Sequence, residues 1–143
     1  MAHSYSGVHI HLVFSTKERR NFISKNLQPL LWAYIAGICK NYEMIAVAIG
    51  GTENHVHILF HLSPKLALAK AVQLIKGNSS KWIGEQGIEF AWQEGYGAFS
   101  VSPSQLERVK TYIANQPAHH RTHSFEQEFL AMLQAANTRV EQN

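Results

Sequence analysis

From Val8 to Ser15 the chain reads VHIHLVFS, alternating and rich in β-branched and aromatic residues, which predicts a first strand. A basic loop, TKERRNF, follows. Leu27, Leu30, Leu31, Tyr34, Ile35 and Ile38 then recur at helical spacing and predict an amphipathic helix over about 26–41. MIAVAIGG predicts a second strand and HVHILFHL a third, joined as a hairpin by a loop of about five residues. Ser63 and Pro64 suit the cap and first position of a second helix marked by Leu68, Val72, Ile75 and Trp82, with an interruption at KGNSS. FAWQEGYGAFSV predicts a fourth strand, strongest from Tyr96 to Val101. Ser102 and Ser104 are capping candidates ahead of a third helix striped by Leu106, Val109 and Ile113. SFEQ, from Ser124, has the form of a capping box and opens a last helix through Phe125, Phe129, Met132 and Leu133.

Strand, helix, strand, strand, helix, strand is the order of an α+β, ferredoxin-like βαββαβ antiparallel sheet. Its helices are expected on one face, leaving the other for a partner or an active site, with the Tyr112-bearing helix appended C-terminally. No repeat, low-complexity segment or linker divides the chain, so residues 1–143 are expected to form one domain.

Composition narrows the picture modestly. No run of about 18 apolar residues could span a membrane. MAHSYSGVHIHLVF has no charged region ahead of an apolar core, so no secretory signal is expected and a cytoplasmic location is. The single Cys39, within WAYIAGICK, reads as a core residue. A net charge of +3 admits a polyanionic partner without requiring one. The unusual feature is nine histidines, five of them in 9–11 and 55–61.

On a strand His55, His57 and His61 share one face, with Leu59 between them, while Val56, Ile58 and Phe60 share the other. The plain reading makes the histidines the polar side of an ordinary strand. The chemical reading makes His55 and His57 a metal pair, because imidazoles two apart on a rigid strand can converge on one ion. Glu53, Asn54 and the last helices are candidates for a third ligand. His9 and His11 repeat the spacing and read as a structural or substrate-contacting face.

In RVKTYIANQPAHHR, Tyr112 and Gln116 lie four apart and face the same way on a helix, flanking the Val109 and Ile113 stripe. Tyr112 is either amphipathic packing or a phenol presented beside the metal. Pro117 disfavours helical geometry at Gln116. His119 and His120, being adjacent, should diverge, so that at most one reaches a common site.

ENHVHILF, FSTKERR, IKGNSSKW, GYGAFSVS and YIANQPAHH together resemble the single-tyrosine transposases of the HUH endonuclease superfamily, the IS200-like and REP-associated enzymes. The resemblance runs from about His9 to His120, and Pro117 departs from it. It implies nicking and rejoining of hairpin-forming single-stranded DNA through a 5′-phosphotyrosine. Tyr112 would be the nucleophile; His55, His57 and Gln116 would hold Mg²⁺ or Mn²⁺, with Zn²⁺ also fond of imidazole. It also implies a homodimer with a joined sheet, in which one subunit's histidines could serve the other's Tyr112. Lys17, Arg19 and Arg20, then Lys76 and Lys81, are the candidate DNA contacts, or else solvated surface charges. Trp82, Trp92, Tyr96 and Phe99 could stack bases or pack in the core.

Two other classes compete. A histidine phosphodiesterase or nucleotide hydrolase usually places Thr or Ser two residues after each His, where this chain has His11 and His57. An RNA-binding module on the same fold would expose aromatics on its central strands, where histidines stand instead.

Overall fold

A computed structural model describes residues 3–136, so the expected single domain extends at both ends beyond the described residues. Strands β1 (His9–Ser15), β2 (Ile45–Gly51), β3 (His55–His61) and β4 (Gly97–Val101) form one sheet in the order β2-β3-β1-β4. Each neighbouring pair is antiparallel. Helices α1 (Leu27–Asn41) and α2 (Leu68–Glu85) supply the crossovers, which completes the ferredoxin-like topology.

Strand alternation sorts the sheet into two faces. Ile10, Leu12 and Phe14 of β1 and Val56, Ile58 and Phe60 of β3 meet Leu31, Ile35 and Ile38 of α1 and Val72, Ile75 and Ile83 of α2. Burying each such side chain contributes about 1.5–3 kcal/mol. Cys39 is buried in this layer, and burial pushes its thiol up to about 11, as suits a core residue.

The opposite face is not left open. It carries α3 (Leu106–Ala114), the single turn α4 (Gln116–His119) and α5 (Phe125–Ala135). A smaller core of Leu59, Val101 and Ile113, with Val109 and Tyr112 packed against it, seats α3 there. The C-terminal helices spread an apolar stripe that only this face of the sheet can bury.

Several boundaries differ from those expected. The hairpin loop is three residues, 52–54, because both glycines remain in β2, Gly50 opposite His57 and Gly51 opposite Val56. Helix α2 begins at Leu68, since Ser63 instead closes a turn by accepting from Lys65 and Leu66 N–H. KGNSS does not interrupt α2. Asn78 Nδ2 donates to Leu74 O at 2.8 Å and Ser79 Oγ to Ile75 O at 2.6 Å, so both polar side chains are satisfied within the helix. In β2 the register shifts between Ala46 and Ala48, leaving Val47 as a bulge.

Two glycines set how closely the second helical layer approaches. A Cβ on Gly50 would stand 2.6 Å from the Ile113 carbonyl oxygen of α3, and one on Gly97 would stand 2.6 Å from the Phe129 ring of α5. Only a hydrogen fits at either position. Gly50→Ala is expected to cost about 1–3 kcal/mol by overpacking against α3 backbone, read as a lower urea midpoint.

Candidate active site

His55 and His57 are fully buried between β3 and the second helical layer. The Nδ1 of His55 lies 2.9 Å from Asn54 Oδ1 and 3.0 Å from Thr52 Oγ1, which fixes the ring and aims Nε2 away from the sheet. His57 Nδ1 lies 2.8 Å from His11 Nε2, so β1 orients the second ring. Burial, then the neighbouring His57, lowers both His55 and His11 to about 3 and keeps these two rings neutral. His9 and His61, at the far end of the same face, stack edge to face with centroids 5.1 Å apart.

The tyrosine segment reaches the histidines despite Pro117. Helix α3 stops at Ala114, Asn115 (φ −94°, ψ 13°) breaks it, and α4 restarts with Pro117 in its first turn. Proline lacks an N–H, so a helix start is where it costs least. The break keeps Gln116 fully buried, with Oε1 2.8 Å from His55 Nε2. Tyr112 lies across the His57 ring at a centroid distance of 5.8 Å. Phenol, amide and both imidazoles therefore meet within one chain.

At the meeting point stands Glu128 of α5, which is buried. One carboxylate oxygen, Oε1, lies 2.9 Å from His57 Nε2, 3.1 Å from His120 Nε2 and 3.5 Å from His55 Nε2. The other, Oε2, accepts from Tyr112 Oη and from Gln116 Nε2 at 2.8 Å. Burial opposes the charge of Glu128, but the His57 hydrogen bond and charge, with the bonds from Tyr112 and Gln116, hold it well below the usual carboxylate range. The capping box of Ser124 and Gln127 starts α5 three residues earlier and leaves Glu128 near the positive end of the helix. Tyr112 shifts the other way: burial, then the hydrogen bond to Glu128, pushes its phenol above its ordinary value. His55, His57, His120 and Glu128 offer ligand atoms all within 4.8 Å of one another, the spacing of a metal site.

Glu128 escaped attention at the sequence level, although the last helices stood among the candidate ligand sources and Glu53 did not prove to be the carboxylate. Its signal was available: on a helix it falls on the apolar stripe of Phe125, Phe129 and Met132, where an unpaired acid would be costly. The adjacent histidines also depart from expectation. His119 Nε2 lies 3.5 Å from Glu128 Oε2 while His120 takes Oε1, so both reach the same carboxylate from its two sides. They do so because α4 ends between them, with His120 already its cap.

The basic candidates divide by location. Lys17 and Arg19 lie in a short 3-10 turn after β1, and Arg19 pairs with Glu126 of α5, two residues from Glu128. Arg20 pairs with Glu18 at 3.1 Å, and Lys17, Glu18, Arg19 and Arg20 are all exposed. Lys76 and Lys81 belong to α2, on the other side of the sheet. The Lys76 ammonium donates to the Gln93 and Gly95 carbonyls at 2.6 and 3.0 Å and lies over Phe14, so it ties down the approach to β4. Trp82 stacks on Tyr34 and Trp92 packs on Phe14 and Phe90, both structural; Tyr96 stays exposed. Phe99 stands half-buried near His11.

A sheet of this topology gathers paired histidines, a phenol and a carboxylate at one seam, where the histidines and carboxylate could hold a metal ion beside the phenol. The sequence model of the family described as "Transposase IS200 like" matches residues 4–116. The chain belongs to the IS200-like transposase family and so to the DNA-cleaving enzymes of transposition. It is 23% identical over 124 residues to the transposase for insertion sequence element IS200 of Salmonella typhimurium, covering 81% of each chain, and equally to that of Salmonella typhi. The fold matches a Deinococcus radiodurans R1 crystal structure described as a transposase, with TM-score 0.63 at 21% identity, over 81% of this chain and 96% of that one. It matches a REP-associated tyrosine transposase bound to a REP hairpin with TM-score 0.63 at 15% identity, over 84% and 72%. Among the described residues no helix is long and apolar enough to cross a membrane.

Removing the carboxylate should loosen the whole seam. Glu128→Ala leaves buried imidazole, phenol and amide groups unpaired and is expected to cost about 3–5 kcal/mol in urea unfolding.

Proposed function

We propose that this transposase nicks and rejoins single-stranded DNA at hairpin-forming ends, with Tyr112 as the nucleophile. The observation that carries the reading is that Tyr112, Gln116 and the His55–His57 pair converge within one chain. In the reaction the Tyr112 oxygen bonds to phosphorus and the bond from phosphorus to the 3′ oxygen breaks. The products are a 5′-phosphotyrosine and a free 3′-hydroxyl, which takes up the proton that the phenol gave up. Attack by a 3′-hydroxyl reverses the step and joins strands with no outside energy source.

His55, His57 and Gln116 fit a divalent cation, Mg²⁺ or Mn²⁺. Both imidazole Nε2 atoms and the amide oxygen turn to the same spot, while the far side of each ring is held by Asn54, Thr52 or His11. A cation bound there supplies positive charge against the phosphate oxygens. Burial and the hydrogen bond to Glu128 keep Tyr112 a neutral phenol in the free protein. Lys17, Arg19 and Arg20 lie on the active-site side, where they would grip the strand; Lys81 and Lys76 are the more remote candidates. The hairpin DNA bound to the REP-associated structure supports hairpin DNA as the substrate here. A homodimer joined through the edge strand β2 or β4 fits this scheme. The convergence of Tyr112 with His55 and His57 in one chain supports attack in cis.

Labelled single-stranded hairpin DNA incubated with the protein and Mn²⁺ should yield a denaturant-resistant adduct. Tyr112→Phe and EDTA should each abolish it, and His57→Ala should slow it at least about tenfold. Cleavage without an adduct would point to a hydrolase; an adduct in Tyr112→Phe would move the nucleophile. In filter binding, Arg19→Ala with Arg20→Ala should weaken DNA binding and flatten its salt dependence. The slope should fall by about 0.7 log units per log unit of salt for each phosphate that is no longer neutralised. Lys76→Ala should leave that slope nearly unchanged.

A further inference from the structure

We propose that the cation site extends onto the C-terminal helices, where His120 and Glu128 join His55, His57 and Gln116 in a five-donor set that takes a first-row transition dication over Mg²⁺. This rests on the metal-dependent reading above and specifies its ligands and its ion.

The arrangement of the donors suits a cation. Gln116 Nε2 donates to Glu128 Oε2, which can only accept while ionised, so the amide oxygen must face His55. His55 has Nδ1 held from behind by Asn54 Oδ1 at 2.9 Å and Thr52 Oγ1 at 3.0 Å, with Nε2 turned inward, 2.8 Å from Gln116 Oε1. His120 repeats the arrangement, with Nδ1 2.8 Å from the His123 carbonyl oxygen and Nε2 3.1 Å from Glu128 Oε1. A ring bonded to a carbonyl through one nitrogen is the usual posture of a metal-bound histidine, whose other nitrogen is the ligand.

The spacing agrees. Bonds of about 2.1 Å at right angles put neighbouring donors about 3 Å apart. The contacts here are 2.8 Å for His55–Gln116, 2.9 Å for His57–Glu128, 3.1 Å for His120–Glu128 and 3.5 Å for His55–Glu128. Three imidazoles, one carboxylate oxygen and one amide oxygen form a nitrogen-rich set. Mg²⁺ prefers oxygen ligands and retains water, whereas Mn²⁺, Co²⁺, Ni²⁺ and Zn²⁺ accept imidazole more readily. His120 and Glu128 lie beyond residues 4–116, outside the stretch matched to the family. The ion would therefore cross-link the family's sheet to α5, and metal loading would fasten that helix.

Calorimetry on the full chain should show Mn²⁺ binding at least about tenfold tighter than Mg²⁺. His120→Ala and Glu128→Gln should each weaken Mn²⁺ binding at least about tenfold. Pulsed electron paramagnetic resonance of the unaltered Mn²⁺ protein should count three imidazole nitrogens, a readout that no variant's folding can disturb. Amide exchange across Phe125–Ala135 should slow on adding Mn²⁺, and should not in Glu128→Gln. If both variants bind Mn²⁺ like the parent while His55→Ala and His57→Ala lose it, or if only two nitrogens couple, the extension falls and the simpler metal site stands. If Mg²⁺ binds as tightly as Mn²⁺, the selectivity falls. If the parent protein binds no dication at all, both the extension and the metal-dependent reading fall.

Discussion

A carboxylate withdrawn from water is costly, by several kcal/mol even after the surroundings relax. Glu128 tolerates burial because each of its lone-pair directions meets a donor or an imidazole: His57, His120 and His55 around one oxygen, Tyr112 and Gln116 on the other. The converse also holds. Those five side chains come from β3, α3, α4 and the end of α4, and Glu128 is what makes them neighbours of α5. Taking one away leaves others with unpaired buried polar atoms, so the members of the group support one another.

The sheet provides the rigid side of this arrangement. His55 and His57 project from a central strand paired on both edges, and His11 and Asn54 brace their rings from behind. The helices provide the adjustable side. Gly50 and Gly97 let α3 and α5 come down onto the sheet closely enough for a phenol and a carboxylate to meet there. Asn115 and Pro117 then turn the chain after Tyr112, which lets Gln116 between them point inward as well. The site is thus built on rigid strands, with helix ends closing over it.

The sheet, its order and the two crossover helices were legible because strand alternation and helical stripes run long enough to be read from one sequence. The histidine pair and the tyrosine helix were legible because their residue types are unusual at those positions. What escaped is long-range. The pairing of His11 with His57 depends on strand register, which sets residue 13 opposite residue 57 and lets rings two residues along meet diagonally. Glu128 lies in a helix whose docking face depends on a glycine thirty-one positions earlier, Gly97. Lys76 reads in the sequence as a DNA contact or a solvated charge because nothing in IKGNSSKW signals that carbonyls at Gln93 and Gly95 wait for it. The KGNSS helix break failed for a local reason: Asn78 and Ser79 bond back to their own helix.

The bulge at Val47 bears on which length changes the fold can absorb. One extra residue sits there without a partner, so losing Val47 would merely straighten β2 and leave every pair above and below it in step. Losing Gly50 or Gly51 has no such remedy. Counted from the turn, it would set Ile49 opposite His57 and push a branched side chain up under α3, lifting the tyrosine off the histidines. Indels along this strand are therefore tolerated at its entrance and forbidden at its exit.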